Sequence, residues 1–450
     1  VATDGRVIRE IGAASTVLLK NVNNTLPLSA PETMALIGQD LGPSWLGPNG
    51  FEDRGGLNGT LAMGWGSGTA EFPYLIDPLQ AILARAREDG TDIDWWFDNW
   101  DLEGATTVAT AKDVVIVGIN SDSGEQYITV DGNNGDRNNL TAWYNGDALV
   151  QAIAGNFSNV IVVVHSVGQM DLESWIDHPN VTAVLWAGLP GQESGNSLVD
   201  VLYGDYNPSG RLPYTIAKDR ADYGSDIDYV NTDDPVQTNV EYKDKLNVDY
   251  RHFLAEGIEP RYPFGFGLSY TSFNYTNLNI VENGGEEARK RDEEDQAYWS
   301  GETGGNETRI GAFMRESYVY ALETRLTPDS SGRGGPLLLI SKIPVEYTDV
   351  KYPNYTSPTQ IQLVNHQKSS VISPGQSWVE GSSGRQLTSR VSLEPWEAKQ
   401  VTFHLSRYDV SYWDVISQDW VMPEGEFGVI VGKNSMEESL TGSHCFSGTC

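Results

Sequence analysis

The 450-residue chain holds only two cysteines, Cys445 and Cys450, both in the C-terminal stretch SHCFSGTC. A disulfide framework in place of a core is therefore excluded, and one short disulfide loop between the two is expected. Two thiols beside a single His444 make a poor tetrahedral set, so no metal centre is expected there or elsewhere. Basic residues are scarce: 30 Lys and Arg stand against 62 Asp and Glu, a formal net charge of -32. A field of that sign repels nucleic-acid phosphates and anionic lipid headgroups, so neither nucleic acid nor membrane is expected as a partner. No run of about 18 apolar residues occurs, and nothing reads as a transmembrane helix. The start, VATDGRVIREIG, lacks both an initiator methionine and the apolar core of a signal peptide. Either processing has removed the original start, or the chain is an internal piece.

Two catalytic signatures are also missing. GWGSGT, residues 64 to 69, has the glycines of a phosphate loop but not the G-x-G-x-x-G spacing, a preceding strand or a Walker lysine. It reads instead as a loop whose backbone can approach a small ligand, with Ser67 as its hydrogen-bonding side chain. No G-x-S-x-G elbow is present. His165 and Ser166, at the end of an apolar run, are accordingly expected to satisfy local backbone groups rather than to act as a nucleophile pair.

What is present falls into two halves of different character. Up to residue 215, short β-branched runs alternate with amphipathic segments. The runs are MALIG, DIDWWF, DVVIVGIN, NVIVVVHSVG and NVTAVLWAGLPG; the helical segments are RVIREIGAASTVLLKN, PLQAILARAREDG, GDALVQAIAG and GNSLVDVLYG. Continuous apolar strands separated by helices indicate a parallel sheet covered on both faces, a doubly wound α/β sandwich with ligands beyond the carboxyl ends of its strands. Residues 216 to 262 have little periodicity and read as a linker. Residues 263 to 450 carry short alternating segments divided by Gly, Pro and Ser, the pattern of an antiparallel β-sandwich, with a charged, glycine-rich insertion near 282 to 308.

The stretch NSDSGEQYITVDGNNGDRNNL, residues 120 to 140, leaves the carboxyl end of the DVVIVGIN strand with four carboxylates. Asp122 sits where aspartate bonds its own backbone, Asp131-Gly132 reads as a turn, and Asp136-Arg137 as an ion pair or a structural anchor. Glu125 follows a turn glycine that projects the next side chain outward. That favours it only slightly, because a glutamate on a strand-end loop is more often solvated than catalytic. Eight N-x-S/T sequons, at Asn23, Asn58, Asn139, Asn156, Asn180, Asn274, Asn306 and Asn354, point to N-glycans and a secreted, extracellular protein.

Five blocks, REIGAASTVLLKN, GPNGFEDRGGLNGTLAMGWGSGTAEFPYLIDPLQAI, NSDSGEQYITVDGNNGDRNNL, WAGLPGQESGNSLVDVLYGDYNPSGRLPYT and YRHFLAEGIEPRYPFGFGLSYTSF, occur in an order that resembles the fungal β-glucosidases of glycoside hydrolase family 3. The resemblance implies that the second domain is fibronectin type III-like and that no cofactor is used. It implies that Glu125, in SGEQY, is the general acid/base, with Tyr127 and Ser67 facing the sugar. It further implies a nucleophilic aspartate on an N-terminal (β/α)8 barrel. No such barrel lies within this sequence, so the expected partner is that barrel as a separate chain, acting with it on a β-glucoside. Gln126 stands where the family has glycine, and Phe51 and Gly56 stand where many members have a cysteine pair, so packing of Phe51 is expected to replace that disulfide. The expected activity is retaining, exo-acting hydrolysis of the nonreducing-end β-D-glucosyl residue of cellobiose and short gluco-oligosaccharides. A β-xylosidase or exo-glucanase of the same family, or a non-catalytic secreted glycan-binding module, remain alternatives.

Overall fold

A computed structural model describes residues 2–50, 58–64, 69–124, 129–130, 133–135, 137–226, 243–244, 247–283 and 427–445, together with strand segments between 319 and 421. The chain divides into two compact units, one formed mainly by Val1–Glu241 and Glu259–Thr271, the other by Tyr242–Ile258, Ser272–Gly332 and Pro336–Cys450.

The first unit is built on a six-stranded sheet. Its strands are β1 (Val17–Asn21), β2 (Thr33–Ile37), β3 (Asp92–Trp96), β4 (Val114–Ser121), β7 (Val160–Ser166) and β8 (Val181–Trp186), in spatial order β1-β8-β7-β4-β2-β3. All neighbours are parallel except β1, which pairs antiparallel with β8 at the edge. Two two-residue strands, β5 (Thr129–Val130) and β6 (Asn133–Asn134), form a separate hairpin.

β4, β7 and β8 are buried at every residue, which explains why their sequences are continuous β-branched runs rather than alternating ones. Successive side chains point to opposite faces. Val115, Val117 and Ile119 of β4, with Val160, Val162 and Val164 of β7, pack on one face with Ala105, Leu149 and Ile153. Ile116, Ile161 and Val163 pack on the other with Leu79, Ile82, Leu198 and Leu202. The helices follow: α3 (Leu102–Ala109) and α4 (Gly146–Ala154) cover the first face; α2 (Pro78–Asp89) and α5 (Ser194–Leu202) cover the second, with α1 (Ala2–Ser15) against α5. The doubly wound sandwich expected from the sequence is the observed architecture.

α2 shows how the chain marks its own helices. Asp77 caps the first turn by accepting the N–H of Gln80 at 3.0 Å, Pro78 occupies the first helical position, and Gly90 closes the helix in the left-handed region at φ 77°. Replacing Asp77 by alanine is expected to cost about 1 kcal/mol, read from the urea midpoint, and replacing it by asparagine much less, because asparagine keeps the acceptor.

Three local expectations are corrected. RVIREIGAASTVLLKN is not one helical segment: α1 ends at Ser15, and Val17–Asn21 is strand β1. Pairing with the open edge of β8, Val17 opposite Trp186, outweighs the helical spacing of its apolar residues. α3, in LEGATTVA, carries too few large apolar residues to stand out, but is capped by Asp101, which accepts the Gly104 N–H at 2.9 Å. The first unit also extends beyond residue 215 and past the linker expected over 216–262. Ile216 and Tyr262 exchange backbone hydrogen bonds, Leu212 N–H donates to Phe266 and Leu268 N–H to Leu18, so residues 262–266 are held against 212–216 and Leu268 against β1.

In the second unit, strands 399–405, 319–328 and 273–283 form one antiparallel sheet, and strands 387–390, 337–340, 427–432 and 440–444 a second. A Cβ added at Gly442 would lie 3.0 Å from the Leu278 side chain, which marks where strands of the two sheets approach each other. The short helix α6 (Tyr250–Glu256) belongs to this unit. Most of the charged insertion near 282–308 lies outside the described residues.

Candidate active site

The sheet order places β2 beside β4, with the chain then moving outward in opposite directions from them. In an open α/β sheet, that reversal opens a crevice beyond the strands' carboxyl ends. The backbones are tight there: Gly38 has φ 101°, and a Cβ on it would stand 2.3 Å from the Gly118 carbonyl oxygen, so only glycine fits.

Just past β2, Asp40 is fully buried. Its Oδ1 accepts the Leu61 N–H at 2.9 Å and the Asn120 side-chain amide at 3.2 Å, and its Oδ2 lies 2.5 Å from His165 Nδ1. His165 Nε2 is 3.3 Å from Ser194 Oγ at the start of α5. His165 therefore does not satisfy local backbone groups as expected; its position at the end of β7 turns its ring toward the turn after β2. Ser166 does so, donating to the Gly168 carbonyl at 2.6 Å.

The stretch that follows β4 is shaped by its own polar residues. Asp122 is buried and its Oδ1 accepts the Ser123 N–H at 2.8 Å. Gly124 N–H donates to the Gly135 carbonyl at 3.0 Å, and β5 pairs with β6. Arg137 closes its root: its N–H donates to Ser123 Oγ at 3.2 Å, and its guanidinium donates to Ser121 Oγ at 3.1 Å and to the Gln169 carbonyl at 2.9 Å. Arg137 serves as a structural anchor, while the Asp136–Arg137 ion pair lies outside the described residues. Glu125, Gln126, Tyr127, Asp131 and Asp136 lie outside the described residues.

The stretch containing Ser67 is likewise held at both ends, although Ser67, Phe51 and Gly56 themselves lie outside the described residues. Gly191 N–H donates to Ala62 at 2.8 Å, Ile76 N–H to Gln192 at 2.9 Å, and Gly195 N–H to Ile76 at 2.8 Å. Asn49 exchanges side-chain hydrogen bonds with both backbone groups of Phe72. The roots of the Ser67 and Glu125 stretches thus meet at one carboxylate, Asp40. Sequence reasoning passed over Asp40 and Ser194; the available signal for Asp40 was a carboxylate just beyond a buried strand at the switch point.

Among the expected glycan sites, Asn23, Asn139 and Asn156 are exposed, while Asn58 and Asn180 are partly buried. Asn180 already donates its amide to the Ala154 carbonyl at 2.8 Å. Asn274 lies in the strand Phe273–Asn283, and Asn306 and Asn354 lie outside the described residues. Cys445 is disulfide-bonded; Cys450 lies outside the described residues. Among the described residues, no group of His, Cys, Asp and Glu is placed to hold a metal ion, and no helix is long and apolar enough to cross a membrane.

The fold and the polar switch point define an α/β domain with a buried polar cluster at its strand ends, joined to an antiparallel β module. Residues 16–270 match the glycosyl hydrolase family 3 C-terminal domain and residues 388–435 a fibronectin type III-like domain, and the chain belongs to glycosyl hydrolase family 3. It is similar to "Probable beta-glucosidase L" of Aspergillus fumigatus, 43% identical over 443 residues covering 98% of this chain and 53% of that protein. It is 41% identical over 472 residues to "Beta-glucosidase 1" of Aspergillus aculeatus, covering 96% and 54%. The crystal structure of beta-D-glucoside glucohydrolase from Trichoderma reesei superposes with a TM-score of 0.79 at 37% identity, over 97% of this chain and 55% of that one. A family 3 beta-glucosidase from Neurospora crassa superposes with a TM-score of 0.80 at 34% identity, over 98% and 56%. The chain spans about half the length of the relatives it matches.

Proposed function

We propose that this chain is the acid/base half of a retaining, exo-acting β-glucosidase. The observation that carries the reading is its match to fungal beta-glucosidases along 98% of its own length but only 53% of theirs. A retaining glycosidase needs two carboxyl groups about 5 to 5.5 Å apart, one to attack the anomeric carbon and one to protonate the departing oxygen. Glu125 is the second of these, supported by the SGEQY motif and by its place beyond the carboxyl end of β4. The nucleophilic aspartate comes from an N-terminal barrel, either on a separate chain or preceding this one.

Glu125 enters the cycle protonated, gives its proton to the leaving oxygen, and then as carboxylate removes a proton from the water that opens the glycosyl-enzyme. Tyr127 and Ser67 face the sugar being released. The substrate is cellobiose or a short gluco-oligosaccharide, and the enzyme is secreted and glycosylated.

The test is reconstitution. The 450-residue chain alone is expected to release no glucose from cellobiose, and addition or fusion of the N-terminal barrel to restore turnover, with cellobiose preferred over xylobiose. Full activity of the isolated chain would overturn the two-part reading. Oligosaccharide binding by the isolated chain, with no turnover on adding the barrel, would favour a glycan-binding module.

A further inference from the structure

Asp40, His165 and Ser194 form a hydrogen-bonded chain whose members are 0%, 0% and 1% exposed. The order is that of a serine-hydrolase triad, but a nucleophile needs access to its substrate, and none of these side chains is open to one. The contacts of the chain point elsewhere. Asp40 Oδ1 takes the Leu61 N–H, just before the Ser67 stretch, and the Asn120 amide, just before the Glu125 stretch. Asn120 in turn accepts the Trp143 N–H on its carbonyl at 2.9 Å. Ser194 lies beside Gly191, Gln192 and Gly195, whose backbones hold Ala62 and Ile76 at the two ends of the Ser67 stretch.

We propose that Asp40 and His165 are a positioning pair that sets the general acid's placement against the sugar-facing stretch. This rests on the reading of Glu125 as general acid. The Nδ1–H of His165 holds one carboxylate oxygen, which orients the other toward two donors from different segments. A carboxylate bonded on both oxygens cannot pivot, and both roots are held in one geometry. Without the imidazole the carboxylate turns, Asn120 loses a fixed acceptor, and the chain leaving β4 at Asn120 toward Glu125 is no longer fixed relative to the chain leaving Leu61 toward Ser67. Protonation of the leaving oxygen then suffers most, because it depends on the distance between acid and substrate.

Two substitutions separate positioning from bulk stability. His165→Asn places an amide donor near the Nδ1 position and keeps the bond to Asp40; His165→Gln reaches toward Ser194 and leaves Asp40 Oδ2 without its donor. Both are made in the enzyme carrying its N-terminal barrel, and kcat and KM are measured over aryl glucosides of graded leaving-group pKa. Melting temperatures are recorded alongside. His165→Asn is expected to keep the wild-type dependence on leaving group. His165→Gln is expected to lose about 10- to 100-fold in kcat on the poorest leaving groups, with KM and the best leaving groups changed by no more than about twofold.

Equal losses in both variants, or losses independent of leaving group, would overturn the proposal. If His165→Gln yields no folded enzyme, Asn120→Ala makes the same test, since it cuts the tie to β4 and leaves the histidine bond in place. Glu125→Gln in the same series tells the two ideas apart. Should it fail to steepen the leaving-group dependence, the general-acid assignment is wrong; should it steepen while His165→Gln does not, only the positioning role falls.

Discussion

Glu125→Gln, made in the proposed two-part enzyme, is expected to lower kcat on cellobiose by about 10²- to 10⁴-fold if Glu125 is the proposed general acid, the range for a positioned one. The size follows from the leaving group. A sugar hydroxyl departs as a strongly basic alkoxide unless a proton reaches it in the transition state, and glutamine has none to give. An activated aryl glucoside carries a leaving group stable as an anion, so its glycosylation step should slow far less. Deglycosylation then becomes limiting, because glutamine cannot take a proton from the attacking water. Azide needs no such base and should restore turnover of the aryl substrate, giving glucosyl azide of retained configuration. The melting temperature should stay near wild type. Wild-type kcat on cellobiose in a Glu125→Gln enzyme would remove Glu125 from the mechanism.

Trp175→Ala is expected to destabilise the first unit by about 3 to 5 kcal/mol in urea titrations, the range for emptying a large aromatic site. Trp175 is among the largest fully buried side chains and packs within the core on the α3–α4 face. Its indole Nε1–H also donates to Asp147 at 2.8 Å, while Ala142 N–H donates to the other carboxylate oxygen at 3.0 Å. Burial raises the pKa of Asp147 above its ordinary 3.8; the indole and the backbone N–H pull it back, and nearby Asp171 adds to the rise. Because the folded value lies above the unfolded one, the folded chain keeps a proton that the unfolded chain has released. This group's contribution therefore declines as pH rises through the window between those two values.

Trp175→Phe should cost less, about 1 to 2 kcal/mol, since most of the volume stays and one hydrogen bond to a carboxylate goes. It should also enlarge the decline in stability as pH rises above the unfolded carboxylate value, because an influence that lowers the Asp147 pKa is removed. Asp147→Asn should abolish that part of the slope. A slope unchanged by both variants would show that Asp147 does not titrate as its surroundings require.

Much of the first unit was legible because burial on both faces forces a distinctive composition: VVIVGINS, VIVVVHS and VTAVLW can hardly be anything but central parallel strands. The helix over Pro78–Asp89 was equally plain, since Asp77, Pro78 and Gly90 mark its two ends chemically. VLLKN was misread because its identity as strand depends on the exposed edge of β8, far along the chain. The extent of the first unit was missed for a similar reason. Residues 262–268 carry no periodic signal, and only their hydrogen bonds to Leu212, Ile216 and Leu18 assign them.

The site divides along the same line. By itself the sequence determined the class of fold, the strand that precedes the SGEQY stretch, and the backbone-bonding role of Asp122, because these depend on local patterns of burial, charge and backbone preference. Tertiary structure alone decided that Asp40, Asn120, His165 and Ser194, drawn from four separate parts of the chain, share one buried set of hydrogen bonds. The physical reason is that a buried carboxylate must find donors wherever the sheet brings them. The neighbours supplied by the order β7-β4-β2 cannot be read from residues that lie 80 and 125 positions from Asp40 along the chain.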